Sequence, residues 1–143
     1  GGSSVISLTD FTTTSATVGW ARPAFNRVPD NTMLLESGGQ IYETGIYAHA
    51  PARHMYQLGK KWNSLSGKVG LASGHRGSVQ FEITGDGKTV WKSQVIRSDN
   101  TVDFEVKLDG VQQLELLTHP TDDGPGADWG LWLDPMLKRK LAR

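Results

Sequence analysis

Apolar and polar positions alternate with a period of two along much of the chain. Val79, Phe81 and Ile83 are interleaved with Ser78, Gln80 and Glu82, and Val102, Phe104, Val106 and Leu108 with Asp103, Glu105 and Lys107. Successive side chains of a strand point to opposite faces, so each run predicts a β-strand with one dry and one wet face. Gly85-Asp86-Gly87-Lys88 turns the first run towards Val90-Trp91, a hairpin signal. Shorter strand-like runs cover residues 5–8, 16–20, 40–43, 54–58, 68–71 and 114–117. Helical periodicity is weak everywhere before the tail, where Leu137 and Leu141 lie four apart. About ten short strands separated by turn residues predict an all-β fold, an antiparallel β-sandwich or barrel. The wide polar or Gly-rich loops fall at 22–30, 50–53, 73–77 and 119–128. In sandwiches such loops carry function on a rigid frame.

A chain of 143 residues has room for one domain around one core. Counting its 17 glycines with the 37% apolar residues brings it into the range of packed globular domains, which excludes a disordered chain. Lys and Arg number 15, as do Asp and Glu, so the formal charge is zero. Lys60-Lys61 and the tail Lys138-Arg139-Lys140 therefore read as solvated segments, and no nucleic-acid partner is expected. No apolar run reaches the ~18 residues of a membrane span, and no basic-then-apolar leader opens the sequence, so no membrane insertion is expected. The absence of cysteine removes disulfides, thiolate nucleophiles, Cys-ligated zinc and iron–sulfur clusters. The expected organisation is a linker or cloning scar at 1–4, the domain at 5–137 and a basic tail at 138–143.

Catalytic signatures do not emerge. Asp86-Gly87-Lys88-Thr89 ends like a phosphate loop, but the required first glycine would fall at Glu82. No Gly-x-Ser-x-Gly elbow or His-Glu-x-x-His helix is present, and Asp122-Asp123-Gly124 lacks the ligand pattern of an EF-hand. The four histidines (His49, His54, His75, His119) show no triad spacing. Glu36 with Glu43, or Asp122 with Asp128, read as surface carboxylates, because so small a domain usually lacks the cleft a glycosidase pair works in. No catalytic residue is assigned, and the chain is read as a non-enzyme.

The aromatic inventory points elsewhere. Five of the twelve aromatic residues are tryptophan: Trp20, Trp62, Trp91, Trp129 and Trp132. Sugars offer C–H faces that stack on rings and hydroxyls that need aimed polar partners, so a sugar site combines an exposed aromatic with His, Arg, Asp or Asn. Trp129 ends a polar loop after Asp128, and Trp132 lies three residues on. On a strand the two rings point to opposite faces, one in the core and the other available; burial of both is the competing reading. Ser73-Gly74-His75-Arg76-Gly77 is either a tip with two hydroxyl-binding donors or a plain solvated turn.

Several segments together carry a family likeness. Gly45-Ile46-Tyr47-Ala48-His49-Ala50-Pro51-Ala52 resembles the Gly-Ile-x-x-His-Ala-x-Ser segment of the NPCBM domain, with Ala52 in place of the serine. Tyr56-Gln57-Leu58-Gly59, Trp62 and Gly67-Lys68-Val69-Gly70 follow in order. Gly77-Ser78-Val79-Gln80-Phe81 then leads to Asp86-Gly87-Lys88 and Ser93, and Asp123-Gly124 leads to Asp128, Trp132 and Asp134, like the family's closing motif. The likeness runs over nearly the whole chain.

NPCBM domains accompany family 98 glycoside hydrolases and correspond to carbohydrate-binding module family 51. The resemblance implies a galactose-binding-domain-like jelly roll and a lectin-like, non-catalytic module. Such a module targets an attached glycoside hydrolase, in a secreted or cell-surface bacterial protein, to galactose-containing or related glycans. It implies as partners a glycan, galactose-terminated ones included, and a neighbouring catalytic domain of the same polypeptide. It also implies structural calcium as cofactor. By the same analogy His49, His75, Arg76, Asp123 and Trp129 are the carbohydrate-binding candidates, with a buried hydrogen-bond partner as the other reading of His49. Asp30 and Asp134 are the metal-ligand candidates. The alternative function is a domain of the same fold used for structural packing or protein–protein contact, without sugar binding.

Overall fold

The computed structural model describes residues 3–29, 35–73, 77–97, 101–121 and 128–140. Its strands are β1 (Ser3–Ser7), β2 (Ser15–Thr17), β3 (Ala24–Phe25), β4 (Leu35–Ser37), β5 (Gln40–Tyr42), β6 (Gly45–His49) and β7 (Ala52–Gln57), followed by β8 (Ser64–Leu71), β9 (Val79–Gly85), β10 (Lys88–Lys92), β11 (Val102–Lys107), β12 (Gln113–Pro120) and β13 (Trp129–Lys140). One sheet runs β11-β8-β13-β6-β3, with β1 also paired to β13; the second runs β10-β9-β12-β7-β2. β4 and β5 form a separate hairpin, and every pairing is antiparallel.

The two sheets enclose the main core. Trp132 is fully buried there, edge-on to Phe81 at 5.1 Å and to Phe104 at 5.6 Å, among Ile46, Val69, Leu71, Ile83, Leu116 and Leu137. Strand β6 and residues 129–133 of β13 are buried on both faces. Their other face carries Tyr47, Trp129, Leu131 and Leu133, which pack with Ala24, Val28, Leu35 and Ala72 in a second apolar cluster. The described residues between β2 and β5, Ala24, Val28 and Leu35 among them, thus form a strap over the outer face of the first sheet. Period-two alternation predicts strands open to water on one side; a strand covered on both sides reads as a continuous apolar run instead.

Several boundaries differ from the sequence expectation. Ser3 and Ser4, expected as linker, pair with Lys140 and Arg139, so β1 and the end of β13 are part of the sheet. The Leu137 spacing, suggestive of a helix, belongs to a twelve-residue strand, because Leu137 faces the main core opposite Leu65. The loop expected at 50–53 is a tight corner with a cis Ala50–Pro51 bond, and β7 begins at Ala52.

The opposite pole is tied by one carboxylate. Asp86, at φ +51 in the β9–β10 turn, accepts backbone N–H bonds from Gln112 at 3.2 Å and Gln113 at 2.9 Å. These bonds hold its carboxyl below the usual aspartate range. The depressed pKa means the stabilisation is present above pH ~4 and lost as pH falls through the folded-state value. Asp86→Ala is expected to lower the melting temperature at pH 7, with the difference from wild type shrinking as pH falls below about 4. Melts of both proteins across that range check it; a difference independent of pH would mean that the turn backbone, not the carboxylate, matters.

Candidate functional site

At the pole where β6 ends and β13 begins, four rings meet. His49 and Trp129 are cross-strand partners. Trp129 stands 5.3 Å from Tyr47, 6.1 Å from His49 and 5.2 Å from Trp20, measured between ring centroids. Trp20 also lies 6.5 Å from His49. Trp129 is 7% exposed and His49 6%, whereas Trp20 is 51% exposed. Among the described residues, the ring this pole offers to solvent is therefore Trp20, laid at a tilt over Trp129.

The backbone around Trp20 is fixed from beneath. Gly19 donates its N–H to the His49 carbonyl at 2.8 Å, and the Tyr47 hydroxyl donates to the Trp20 carbonyl at 2.9 Å. Burial pushes the Tyr47 hydroxyl pKa up, so it stays protonated and keeps donating. A β-carbon on Gly19 would stand 2.2 Å from the Ala50 carbonyl oxygen, which is why this close approach requires glycine. Ala21 follows at φ +62, a left-handed turn that carries the chain away after the ring. His49 Nδ1 lies 2.8 Å from the Ala50 carbonyl oxygen and donates to it in the Nδ1–H tautomer.

Asp128 organises the surrounding loops. It is fully buried; its Oδ1 accepts the Ser78 N–H at 2.9 Å, and its carbonyl accepts the Ala50 N–H at 3.0 Å. Ser78 and Thr121 hydroxyls are hydrogen-bonded to each other. Ala72 donates to the Trp129 carbonyl at 2.9 Å. The described ends of two loops, at Ala72 and Ser78 on one side and Thr121 and Asp128 on the other, are thus bound to the aromatic pole.

Of the five candidate sugar contacts, the structure brings His49 and Trp129 together at this pole. His75, Arg76 and Asp123 lie outside the described residues, as does the metal candidate Asp30. Trp129, expected to present its face to water, is covered on the outer side by Trp20. Both Trp129 and Trp132 are buried, on opposite faces of β13, each in its own apolar cluster. Trp20 sits at the end of a run read as strand 16–20; β2 stops at Thr17, which frees residues 18–23 as a loop. The signal for it was Pro23 close behind the tryptophan, a turn residue that ends a strand.

Asp134 lies elsewhere, exposed at φ +48 where the β13–β8 register shifts. Its N–H bonds the Thr44 carbonyl at 2.9 Å, and its charge acts on Lys68. Among the described residues, no group of three His, Asp or Glu side chains could hold a metal. Asp134 supplies one exposed carboxylate, whereas a hard cation takes 6–8 oxygen ligands, so Asp134 by itself does not make a site.

The NPCBM/NEW2 domain model matches residues 4–138. A curated protein of Renibacterium salmoninarum, named for endo-alpha-N-acetylgalactosaminidase activity, is 25% identical over 101 residues; these are 68% of this chain but 7% of that protein. Among solved structures, the chain is similar to a CBM51 module of Clostridium perfringens GH95 in complex with methyl-galactose, with TM-score 0.81 and 23% identity, covering 94% of this chain and 99% of that one. It is also similar to CBM51-2 of Clostridium perfringens ZmpB in complex with GlcNAc, with TM-score 0.84 and 20% identity, covering 95% of this chain and 32% of that one. At these identities the two structures show the shared fold.

Proposed function

Because the chain belongs to the NPCBM/NEW2 domain family, a family of carbohydrate-binding modules, we propose that its aromatic pole holds a neutral sugar of the galactose or N-acetylhexosamine class and tethers a larger glycan-active protein to its substrate. The observation that carries this is the half-exposed Trp20 ring, fixed over Trp129 and His49. The main chain carrying the ring is already hydrogen-bonded to the sheet and needs little ordering on binding, so stacking against the C–H face of a pyranose retains most of its free energy. The rings around it are uncharged or buried, which suits a neutral ligand. A shallow, wet site of this kind binds in the ~10 μM–1 mM range. Within a parent enzyme, such affinity acts by raising the effective concentration of catalytic domain near the glycan. The support for a parent enzyme is that the chain spans only 7% of its curated relative.

A glycan array probed with the labelled domain tests this, in calcium and again in EDTA. Selective binding to galactose- or N-acetylhexosamine-terminated glycans is expected. Loss in EDTA would add a structural calcium, which Asp134 by itself does not supply. A blank array in both conditions would overturn sugar recognition and leave a packing domain of the same fold.

A further inference from the structure

On the lateral edge of the sandwich, between the turn after β1 and the two-residue strand β3, lies a cleft of about 240 Å³ lined by Thr9, Asp10, Phe11, Thr12, Thr13 and Phe25. We infer that this cleft is a second sugar subsite that takes a single pyranose ring. Naming a sugar as its ligand rests on the glycan-binding reading above, while the cleft itself is separate from the aromatic pole.

Two half-buried rings supply its apolar surface, and both are held in place from behind. Phe11 is edge-on to Tyr56 at 6.3 Å and to Trp62 at 6.2 Å; Phe25 is edge-on to His54 at 6.0 Å. The polar groups are hydroxyls and one carboxylate. Thr9 is already engaged with the Ser7 hydroxyl at 2.7 Å. Among the described residues, Asp10, Thr12 and Thr13 make no side-chain hydrogen bond or ion pair, so their full capacity faces the cleft and solvent. A threonine hydroxyl donates and accepts, and a carboxylate accepts at two oxygens, which matches the donor–acceptor hydroxyls around a pyranose. A cation would find only Asp10, exposed and screened, so the hydroxyl-rich rim favours the sugar. The volume lies below the ~300 Å³ at which drug-sized pockets begin, which limits the ligand to one ring.

The position adds a purpose. Phe25 pairs with Ile46, three residues before His49 on β6, which puts the near wall of the cleft roughly 10 Å along the strand from the aromatic pole. Trp20 and Phe25 sit on one strap. Two residues of a branched or extended glycan engaged together would bind more tightly than either alone.

Amide spectra of the ¹⁵N-labelled domain, titrated separately with methyl β-galactoside and GlcNAc, test this in the wild type and in Trp20→Ala. The expected result is saturable millimolar shifts at residues 9–13 and 25 with one of the sugars, retained in Trp20→Ala. These shifts should weaken roughly five- to tenfold in Thr13→Val, a surface substitution of nearly equal size. Phe25→Leu serves as a second variant, read only with its melting temperature. Shifts confined to the surroundings of Trp20 and His49 would overturn the second subsite and leave the principal reading standing. Shifts at the cleft alone would support the subsite and overturn the aromatic pole. Undiminished cleft shifts in both Thr13→Val and Phe25→Leu would overturn the subsite, and an absence of shifts at either place with both sugars would overturn both.

Discussion

Trp20→Ala is expected to weaken glycan binding by ~1–3 kcal/mol, roughly 5- to 150-fold, while leaving the melting temperature close to wild type. The separation of the two effects follows from where the residue is held. Its backbone is anchored through the Gly19 N–H and the Trp20 carbonyl, neither of which the substitution touches. The residue is 51% exposed, so removing its ring opens no closed cavity. Trp129→Ala should behave differently, because that ring is buried against Tyr47 and the strap, and its loss should lower stability and binding together. Trp20→Phe keeps a stacking face on the same backbone and should recover most of the loss. Calorimetric titration against the best array ligand, beside thermal melts of the three variants, checks the set. If Trp20→Ala binds like wild type, the stacking surface lies elsewhere on the domain.

The legibility of the fold followed burial. β12 alternates throughout, and β9 and β11 over most of their length, because one face of each meets the core and the other meets water; the exceptions are Thr84, buried, and Val102, exposed at the start of β11. β6 is buried at all five positions, so no polar face marked it; only the family likeness drew attention to that segment. β3 is two residues long and owes its existence to pairing with β6, a tertiary cause that no local pattern encodes. At the site, Asp128 reads from the sequence as a surface carboxylate, but it is fully buried and its Oδ1 accepts the Ser78 N–H, a loop-fixing bond between segments fifty residues apart that local polarity does not reveal. Trp129 looked available because polar and glycine residues precede it. Its burial depends on Trp20 arriving from a strap more than a hundred residues earlier in the chain. That contact is invisible to spacing, and it is also what moved the exposed ring from one tryptophan to the other.

The core contains a second group whose behaviour can be measured. His54 faces inward on β7, 0% exposed, with neither ring nitrogen hydrogen-bonded among the described residues. Burial lowers its pKa from 6.5 to about 4, since charging the ring there costs hydration that nothing returns. The folded value lies below the unfolded one, so unfolding takes up a proton. The neutral imidazole's contribution is complete above pH 6.5 and drains away as pH falls towards and through 4, by about 3 kcal/mol in all. His54→Leu removes the proton-binding group at similar volume. Near pH 8 the two proteins should differ by less than ~1.5 kcal/mol. At pH 4 the leucine variant should gain about 3 kcal/mol relative to that difference, a melting-temperature gap widening by roughly 6–12 °C. Glu82 and Asp86, whose carboxyls are also held below their usual values, titrate alike in both proteins and cancel in the comparison. Parallel pH curves would show that the imidazole is already compensated inside the core. A widening gap would locate the acid sensitivity at His54, whose ring backs directly onto Phe25, so loss of order there should reach the lateral cleft before the aromatic pole.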